Sequence, residues 1–203
     1  MPQDRFINLG IYHGVQDSAI SVMTAEGLRI LEAAPQMVAM PSVIFMYNNG
    51  VVDVGFGARD AILKHSGLRG QGVKRYLPRL HLDVTYDFPG ANRKLTGAEV
   101  CGFVIGKLLE VYRRAYPEND SRACVISVPT DCPPHTYQAI SAAGRLAGLE
   151  QVIMFQELAR HAQDLSTSLN ENGAWRIMGG EVLRRVMALH KQLVRTTPSL
   201  KAH

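Results

Sequence analysis

The segment Ala123–Val128 constrains the fold of this chain more than any other part of the sequence. It holds six consecutive residues that are apolar apart from one serine, and a proline follows it. Such a run is typical of a strand that is buried on both faces of a sheet. A helix is predicted on each side, over Thr96–Tyr116, which opens on a capping box with Glu99, and over Pro133–Ala147, which ends at a glycine. A buried strand between two helices predicts an α/β fold.

Short apolar segments in the first third of the chain predict strands. Arg5–Tyr12, Ala19–Met23 and Leu28–Glu32 are separated by glycine or polar residues, which favours a three-stranded antiparallel meander. Ser42–Met46 and Val51–Val54 flank an Asn-Gly pair, whose positive φ angles suit a tight hairpin. Together with the two helices, these segments predict a mixed sheet flanked by helices.

The remaining segments carry weaker patterns. Gly57–His65 is predicted as a short helix and Gln151–Phe155 as a strand. Residues 66–95 are rich in Gly, Pro, Arg and Asp and have little periodicity, so they predict a loop-rich excursion. The last part of the sequence predicts a helix over Glu157–Leu169, a short strand over Trp175–Met178 and a final helix over Glu181–Val194.

Composition places the chain among ordinary globular proteins. With 203 residues, 46% of them apolar and 20% charged, it can bury a core without disulfides or metals. No apolar run approaches the ~20 residues of a membrane span, and the N-terminus lacks the layout of a signal peptide. Three cysteines are too few for a disulfide framework, which agrees with a reducing compartment. We therefore expect a cytoplasmic protein that has no membrane partner.

Cys132 and His135 have the C-x-x-H spacing of half a metal site. A protein zinc site needs three or four protein ligands, and no second cluster of such residues lies nearby in the sequence. The sequence therefore predicts no metal site.

The basic charge is concentrated at the C-terminal end of the sequence. After residue 180, five basic residues stand against one acidic residue, which accounts for the whole net charge of +4. The last predicted helix is also amphipathic, so its apolar stripe either covers a face of the sheet or docks on a partner protein. Basic residues without interleaved aromatic residues argue against nucleic acid as the partner.

The sharpest functional signal is a resemblance to the motifs of one family. Three segments resemble, without a gap, the motifs V-I-T-V-P, D-A-G-K-I-A-G-L-E and N-E-P-T of the seventy-kilodalton heat-shock chaperone (DnaK) family. The resemblance continues in frame at weaker motifs and covers roughly residues 8–170. The gapless segments are Val125–Pro129, Ala142–Glu150 and Gln156-Glu157, and the weaker ones are Leu9–Val22, Met40–Val43 and Gly72–Arg75.

The resemblance implies the N-terminal lobe of an actin-like ATPase, which is a ribonuclease-H-like α/β lobe with a mixed sheet flanked by helices. We expect this lobe over residues 1–178, with a trimmed outer subdomain at about residues 42–95. A basic amphipathic helix and tail would follow over residues 179–203. The family continues into a second phosphate loop, D-L-G-G-G-T, and a second lobe that holds adenosine, whereas this sequence gives W-R-I-M-G-G and the basic helix. We therefore expect a truncated lobe.

The family's first phosphate loop, D-L-G-T-T-N-S, is altered in this chain. Gly14 and Ser18 match it, so the resemblance makes them the candidate phosphate-binding residues. The departures remove a carboxylate on the magnesium side and two hydroxyls, and they add a negative charge where a polyphosphate would lie. We expect phosphate binding to be weak or absent. The departures are Tyr12 for the aspartate, Val15 and Gln16 for the two threonines, and Asp17 for the asparagine.

Two further family positions survive. Lys74 matches the lysine that organises the attacked phosphate in the family, and Glu157 matches a glutamate that helps to place magnesium and water. The residues alone allow a second interpretation, in which Lys74 is a surface lysine and Glu157 caps the helix that follows it. We assign neither residue as catalytic on sequence grounds.

Three functional hypotheses follow from these observations. The first is a non-catalytic DnaK-like lobe, a pseudoenzyme that serves as a protein-interaction or scaffold subunit with a protein partner or a second copy of itself. The second is one half of a split chaperone-type ATPase whose second lobe is supplied by another polypeptide. The third is a chaperone fragment that holds clients, which the lack of the family's peptide-binding domain disfavours. Under the first hypothesis we expect no cofactor, or at most weak binding of ATP and magnesium.

Overall fold

The computed structural model describes residues 9–156, except 25–26, 66, 68–70, 75, 77–79 and 129–132. These residues form a mixed α/β fold, as predicted. In chain order its elements are the strands β1 (Leu9–His13), β2 (Asp17–Thr24), β3 (Gly27–Ile30), β4 (Ala39–Pro41), β5 (Val43–Met46) and β6 (Val52–Val54), the helix α1 (Phe56–Lys64), the strands β7 (Gly72–Lys74), β8 (Thr85–Phe88) and β9 (Arg93–Thr96), the helix α2 (Gly97–Ala115), the strand β10 (Ala123–Val128), the helix α3 (Pro134–Leu146) and the strand β11 (Gln151–Gln156).

The main sheet has the strand order β11-β10-β1-β2-β3, and β4 also pairs with β2. The strands β1, β10 and β11 run parallel, with Ile11 opposite Ile126 and Ile126 opposite Met154. The strand β2 runs antiparallel to both β1 and β3. The predicted meander and the predicted mixed sheet are therefore confirmed.

The two long helices cover one face of this sheet. The helix α2 packs on β2, α3 packs on β11, and the two helices pack on each other. Their backbones approach closely because Gly102 lies at the crossing, where an added Cβ would lie 3.4 Å from the Ala143 carbonyl oxygen. In the central strand β1, Leu9 and Ile11 are fully buried and belong to the same apolar cluster as side chains of α2 and α3. The main core therefore lies between the sheet and this helical layer.

The ends of both helices follow the signals in the sequence. The Thr96 hydroxyl accepts a hydrogen bond from the Glu99 amide at 3.2 Å, and the Glu99 carboxylate accepts one from the Thr96 amide at 2.7 Å. This reciprocal capping box satisfies two amides at the start of α2. After α3, Gly148 has a φ of 97°, a left-handed conformation that glycine adopts without steric cost. Both helix predictions are confirmed.

A smaller sheet with the order β6-β5-β7 carries α1. Its strands β5 and β6 form the predicted hairpin, and Gly50 in the turn has a φ of 82°. The short helix predicted over Gly57–His65 is found one residue earlier, over Phe56–Lys64.

The loop-rich prediction for residues 66–95 is wrong in part. Its second half forms the antiparallel hairpin of β8 and β9, and Gly72–Lys74 pairs with β5. The hairpin gave little apolar signal because Phe88 and Leu95 are its only buried side chains among exposed or half-buried neighbours. Asn92 closes its turn with a φ of 50°, which Asn tolerates better than most residues.

The predictions for Glu157–Leu169, Trp175–Met178 and Glu181–Val194 lie outside the described residues, as does the start of the first predicted strand. The domain boundary at residue 178 also lies there. Within the described ranges, no helix has both the length and the apolar character needed to cross a bilayer.

Candidate functional site

The turn between β1 and β2 occupies the position of the altered phosphate loop. His13 and Ser18 lie opposite each other in the antiparallel register. Between them, the Gly14 amide donates to the Asp17 carbonyl oxygen at 3.1 Å and closes the turn. Both predicted phosphate-binding residues, Gly14 and Ser18, are buried.

A chain of hydrogen bonds runs beneath this turn. The Ser42 hydroxyl donates to the Gly14 carbonyl oxygen at 2.9 Å and lies 2.7 Å from the Ser18 hydroxyl. Because Ser42 has one hydroxyl proton, it accepts the bond from Ser18. Ser18 in turn accepts from Nδ1 of His13, which lies 2.9 Å away. The direction of these bonds assigns the proton of the imidazole to Nδ1.

The other nitrogen of His13 faces the core. Its Nε2 atom lies 3.2 Å from the Tyr76 hydroxyl and 3.3 Å from the Cys101 sulfur, and these two donors share it as an acceptor. Burial lowers the pKa of His13 from 6.5 to about 4, since the ring is fully enclosed. Burial also raises the pKa of Tyr76 well above its ordinary value, so the phenol keeps its proton. His13 is therefore a neutral hub of a buried polar network.

The two groups that match the family loop are engaged within the protein. A phosphate cradle needs backbone amides and hydroxyls that face the anion. Here the Gly14 amide bonds to Asp17, and the Ser18 hydroxyl bonds to His13 and Ser42. The Tyr12 ring lies against the turn, because a Cβ added to Gly14 would lie 2.7 Å from the Tyr12 hydroxyl oxygen. The turn is closed by its own side chains and backbone.

Asp17 places a carboxylate at the end of this turn. It is half-buried, and burial raises the pKa of its carboxyl group. Arg59 of α1 acts in the opposite direction on that pKa through its positive charge. The negative charge that distinguishes this loop from the family pattern therefore has a cationic neighbour in α1.

The other two substituted loop positions divide between core and solvent. Val15 is partly buried and packs against the main core, whereas Gln16 is exposed. The backbone of Gln16 accepts a hydrogen bond from the Ser42 amide at 2.7 Å. Ser42 thus supports the turn at two points, through its amide and through its hydroxyl.

The structure brings the segment of Lys74 close to this turn. Lys74 ends β7 and lies opposite Val43, the residue after Ser42. Only the backbone of Lys74 is described, and Glu157 lies outside the described residues. Gly14, Ser18 and the strand of Lys74 therefore lie in one region. Their roles, and the position of Glu157, stay predictions.

No motif in the sequence indicates the polar network itself. His13 continues the alternating inward positions of Leu9 and Ile11, so the strand period alone could have placed it in the core. Ser42 lies within the segment Met40–Val43, whose resemblance to the family pattern was a further signal. Tyr76 and Cys101 reach His13 only through tertiary packing, for which the sequence carries no local signal.

An open cleft of about 700 Å³ lies between β6, α1, α2 and the end of α3. None of its lining residues belongs to the turn between β1 and β2. Its two basic and two acidic lining residues have no net charge, and the Lys107 ammonium lies 2.7 Å from the Glu110 carboxylate. Its charged lining residues are Asp53, Lys107, Glu110 and Arg113.

Comparison with known proteins adds one relationship. No protein-family model matches the chain. The chain is 28% identical over 171 residues to the "Chaperone protein HscA homolog" of Polynucleobacter necessarius subsp. necessarius (strain STIR1), a match that covers 77% of this chain and 27% of that relative. The chain thus spans about a quarter of that relative's length. The similarity supports the relationship to the seventy-kilodalton heat-shock chaperones that the motifs indicate.

Proposed function

We propose that this chain is a non-catalytic relative of the DnaK-type ATPase lobe and acts as a protein-interaction or scaffold subunit in the cytoplasm. The order β11-β10-β1-β2-β3, with β2 antiparallel and two helices on one face, supports a ribonuclease-H-like lobe. The similarity to a chaperone homolog supports descent from a chaperone-type ATPase domain. Its partner would be another protein or a second copy of the chain.

The observation that carries this proposal is the closed turn at the phosphate loop. To bind a phosphate, Gly14 and Ser18 would have to exchange their present hydrogen bonds for bonds to the anion. Because Ser18 is fully buried, its side chain would have to turn outward to reach an anion, which would break its bond to Ser42 and leave the buried Nδ1–H of His13 without an acceptor. Such a loss costs about 1–3 kcal/mol, which weakens binding by roughly 5- to 150-fold. The loop is therefore built as a structural turn.

A second candidate function is one half of a split ATPase. It is favoured by the position of Lys74, whose strand pairs with β5 beside the residue that supports Gly14. In this arrangement another polypeptide would supply the adenosine pocket, and Lys74 and Glu157 would position phosphate and metal. The closed turn disfavours it unless the partner reopens the loop.

Reconstitution with a purified partner separates the two candidates. The full chain is used to capture partners, and each captured protein is then produced alone and mixed with the chain. The scaffold proposal expects a stable complex that forms without nucleotide and hydrolyses no ATP. A complex whose ATP hydrolysis is lost in Lys74→Ala would establish the split ATPase. If the chain is monomeric and no purified candidate binds it, the scaffold proposal is wrong.

A further inference from the structure

Two histidines from distant segments meet on the surface. The rings of His81 and His135 have centroids 4.7 Å apart and planes inclined by 48°. His81 lies in the turn before β8, and His135 lies in the first turn of α3. The His81 side chain is 42% exposed and His135 is exposed, so solvent reaches both side chains.

The backbone beneath this pair is fixed. Thr136, the neighbour of His135, donates its hydroxyl to the carbonyl oxygen of Leu80, the neighbour of His81, at 3.0 Å. Both Thr136 and Leu80 are fully buried. On the other side of His81, the Val84 carbonyl oxygen accepts from the Gly97 amide at 2.8 Å, which anchors the turn to the start of α2. One hydrogen bond, between the neighbours of the two histidines, therefore joins the backbone segments that carry the imidazoles.

Asp83 orients the His81 ring. Nδ1 of His81 lies 3.2 Å from the Asp83 carboxylate oxygen Oδ2 and 3.2 Å from the Asp83 amide nitrogen. Nδ1 donates to the carboxylate when it carries a proton and accepts from the amide when it does not, so it cannot make both bonds at once. A ligand that takes the lone pair of Nε2 places the proton on Nδ1 and selects the bond to the carboxylate. This is the carboxylate–histidine pair that commonly supports a metal-bound imidazole.

We propose that His81 and His135 form a surface site for a borderline divalent transition metal ion, of which Zn²⁺ is the test case. One nitrogen of each ring binds the ion at ~2.0–2.1 Å after small side-chain rotations, and water completes the coordination. Asp83 is a positioning residue that acts through His81. The site has two protein ligands, fewer than the three or four of a structural or catalytic zinc site, so we expect it to bind the ion more weakly than such sites do. Within the described ranges no larger group of His, Cys, Asp or Glu residues is arranged to hold a metal.

The fold thus brings a second candidate metal ligand close to His135. The C-x-x-H spacing of Cys132 and His135 alone predicts no metal site, because no second cluster of ligand residues lies nearby in the sequence. His81 now provides a second imidazole from another segment. Cys132 lies outside the described residues, and the proposed site does not require its sulfur. A bound ion would clamp the turn before β8 to the start of α3.

Titration of the untagged full chain with ZnCl₂ tests this site. We expect one saturable binding event in the wild type, weakened about tenfold or more in His81→Gln and in His135→Gln. His65→Gln is the matched control, because His65 is an exposed histidine elsewhere on the surface, and it should bind as the wild type does. Circular dichroism confirms that each variant is folded. Equal Zn²⁺ affinity in the wild type and in both single variants, or no binding in the wild type, overturns the proposal.

Two further variants test the supporting roles. Asp83→Asn should weaken Zn²⁺ binding by roughly tenfold, while Asp83→Glu, which can still accept from Nδ1, should recover part of the loss. An unchanged affinity in Asp83→Asn would remove the positioning role. Cys132→Ser should retain the dependence on both histidines. If Cys132→Ser abolishes binding while the histidine variants do not, the site lies elsewhere and the proposal is wrong.

Discussion

Nδ1 of His13 donates to the hydroxyl oxygen of Ser18 at 2.9 Å, across the turn that stands where the family has its phosphate loop. This bond ties the one surviving hydroxyl of the loop to the core. Ser42 accepts a hydrogen bond from the Ser18 hydroxyl and donates one to the Gly14 carbonyl oxygen. The amide of Gly14 and the hydroxyl of Ser18 are thus both engaged in hydrogen bonds within the protein.

Ser18→Ala should destabilise the fold because it removes the acceptor of a fully buried imidazole N–H. We expect a loss of about 1–3 kcal/mol in the free energy of unfolding, measured by urea denaturation. Ser121→Ala is the control, since Ser121 makes a local 3.3 Å bond in a half-buried position. Equal losses in the two variants would mean that the network under the turn contributes nothing.

Stability should fall as the pH is lowered from about 6.5 to about 4, the interval between the ordinary pKa of histidine and the pKa of His13 in the folded chain. In this interval the unfolded chain binds a proton that the folded chain does not, so the stabilisation is complete above pH 6.5 and lost toward pH 4. The His13 contribution amounts to roughly 3 kcal/mol. Urea denaturation across this range should show a shallower decline in His13→Gln than in the wild type or in His65→Gln. Parallel curves for all three chains would contradict the buried neutral imidazole.

Alanine at two helical glycines should have opposite effects. In α2, a Cβ on Gly106 would meet only the Ala147 Cβ at 4.0 Å, so Gly106→Ala should stabilise the fold by up to about 1 kcal/mol through helix propensity. In α3, a Cβ on Gly144 would lie 2.6 Å from Cγ2 of Val152, a short, partly buried side chain that packs against the main core. Gly144→Ala should cost about 1–3 kcal/mol. Thermal unfolding measures both effects. A stabilised Gly144→Ala would contradict the close contact of α3 with β11, and a destabilised Gly106→Ala would contradict the open space around Gly106.

The thiols of Cys101 and Cys124 should resist modification in the folded chain. Both side chains are fully buried, and burial raises the pKa of Cys124, which disfavours the reactive thiolate. In Cys132→Ser, a chromogenic thiol reagent should therefore react with neither cysteine until the protein is unfolded. Rapid reaction of the folded variant would show that the core around His13 opens readily.

The main sheet and its helices could be predicted because their signals are local. The capping box of Thr96 and Glu99 and the glycine after α3 mark helix ends with groups that act within one turn. The hairpin of β8 and β9 was missed because most of its side chains face solvent and give no apolar alternation.

The site could be predicted only in part, for a different reason. The resemblance located Gly14 and Ser18 in the loop, but the direction of the Ser18 hydroxyl depends on Ser42, which comes from a separate strand segment. Five consecutive residues of β2 are buried, so side chains on both faces of this strand are covered. An alternation of apolar and polar residues therefore does not show which of them face α2. The pairing of His81 with His135 depends likewise on contacts between distant segments.

Calorimetric titration of the full chain with ATP and magnesium tests the central claim most directly. Because the amide of Gly14 and the hydroxyl of Ser18 are engaged within the protein, we predict no saturable binding in the micromolar range and no ATP hydrolysis. Micromolar binding of ATP with magnesium, together with turnover that is lost in Lys74→Ala, would contradict the account.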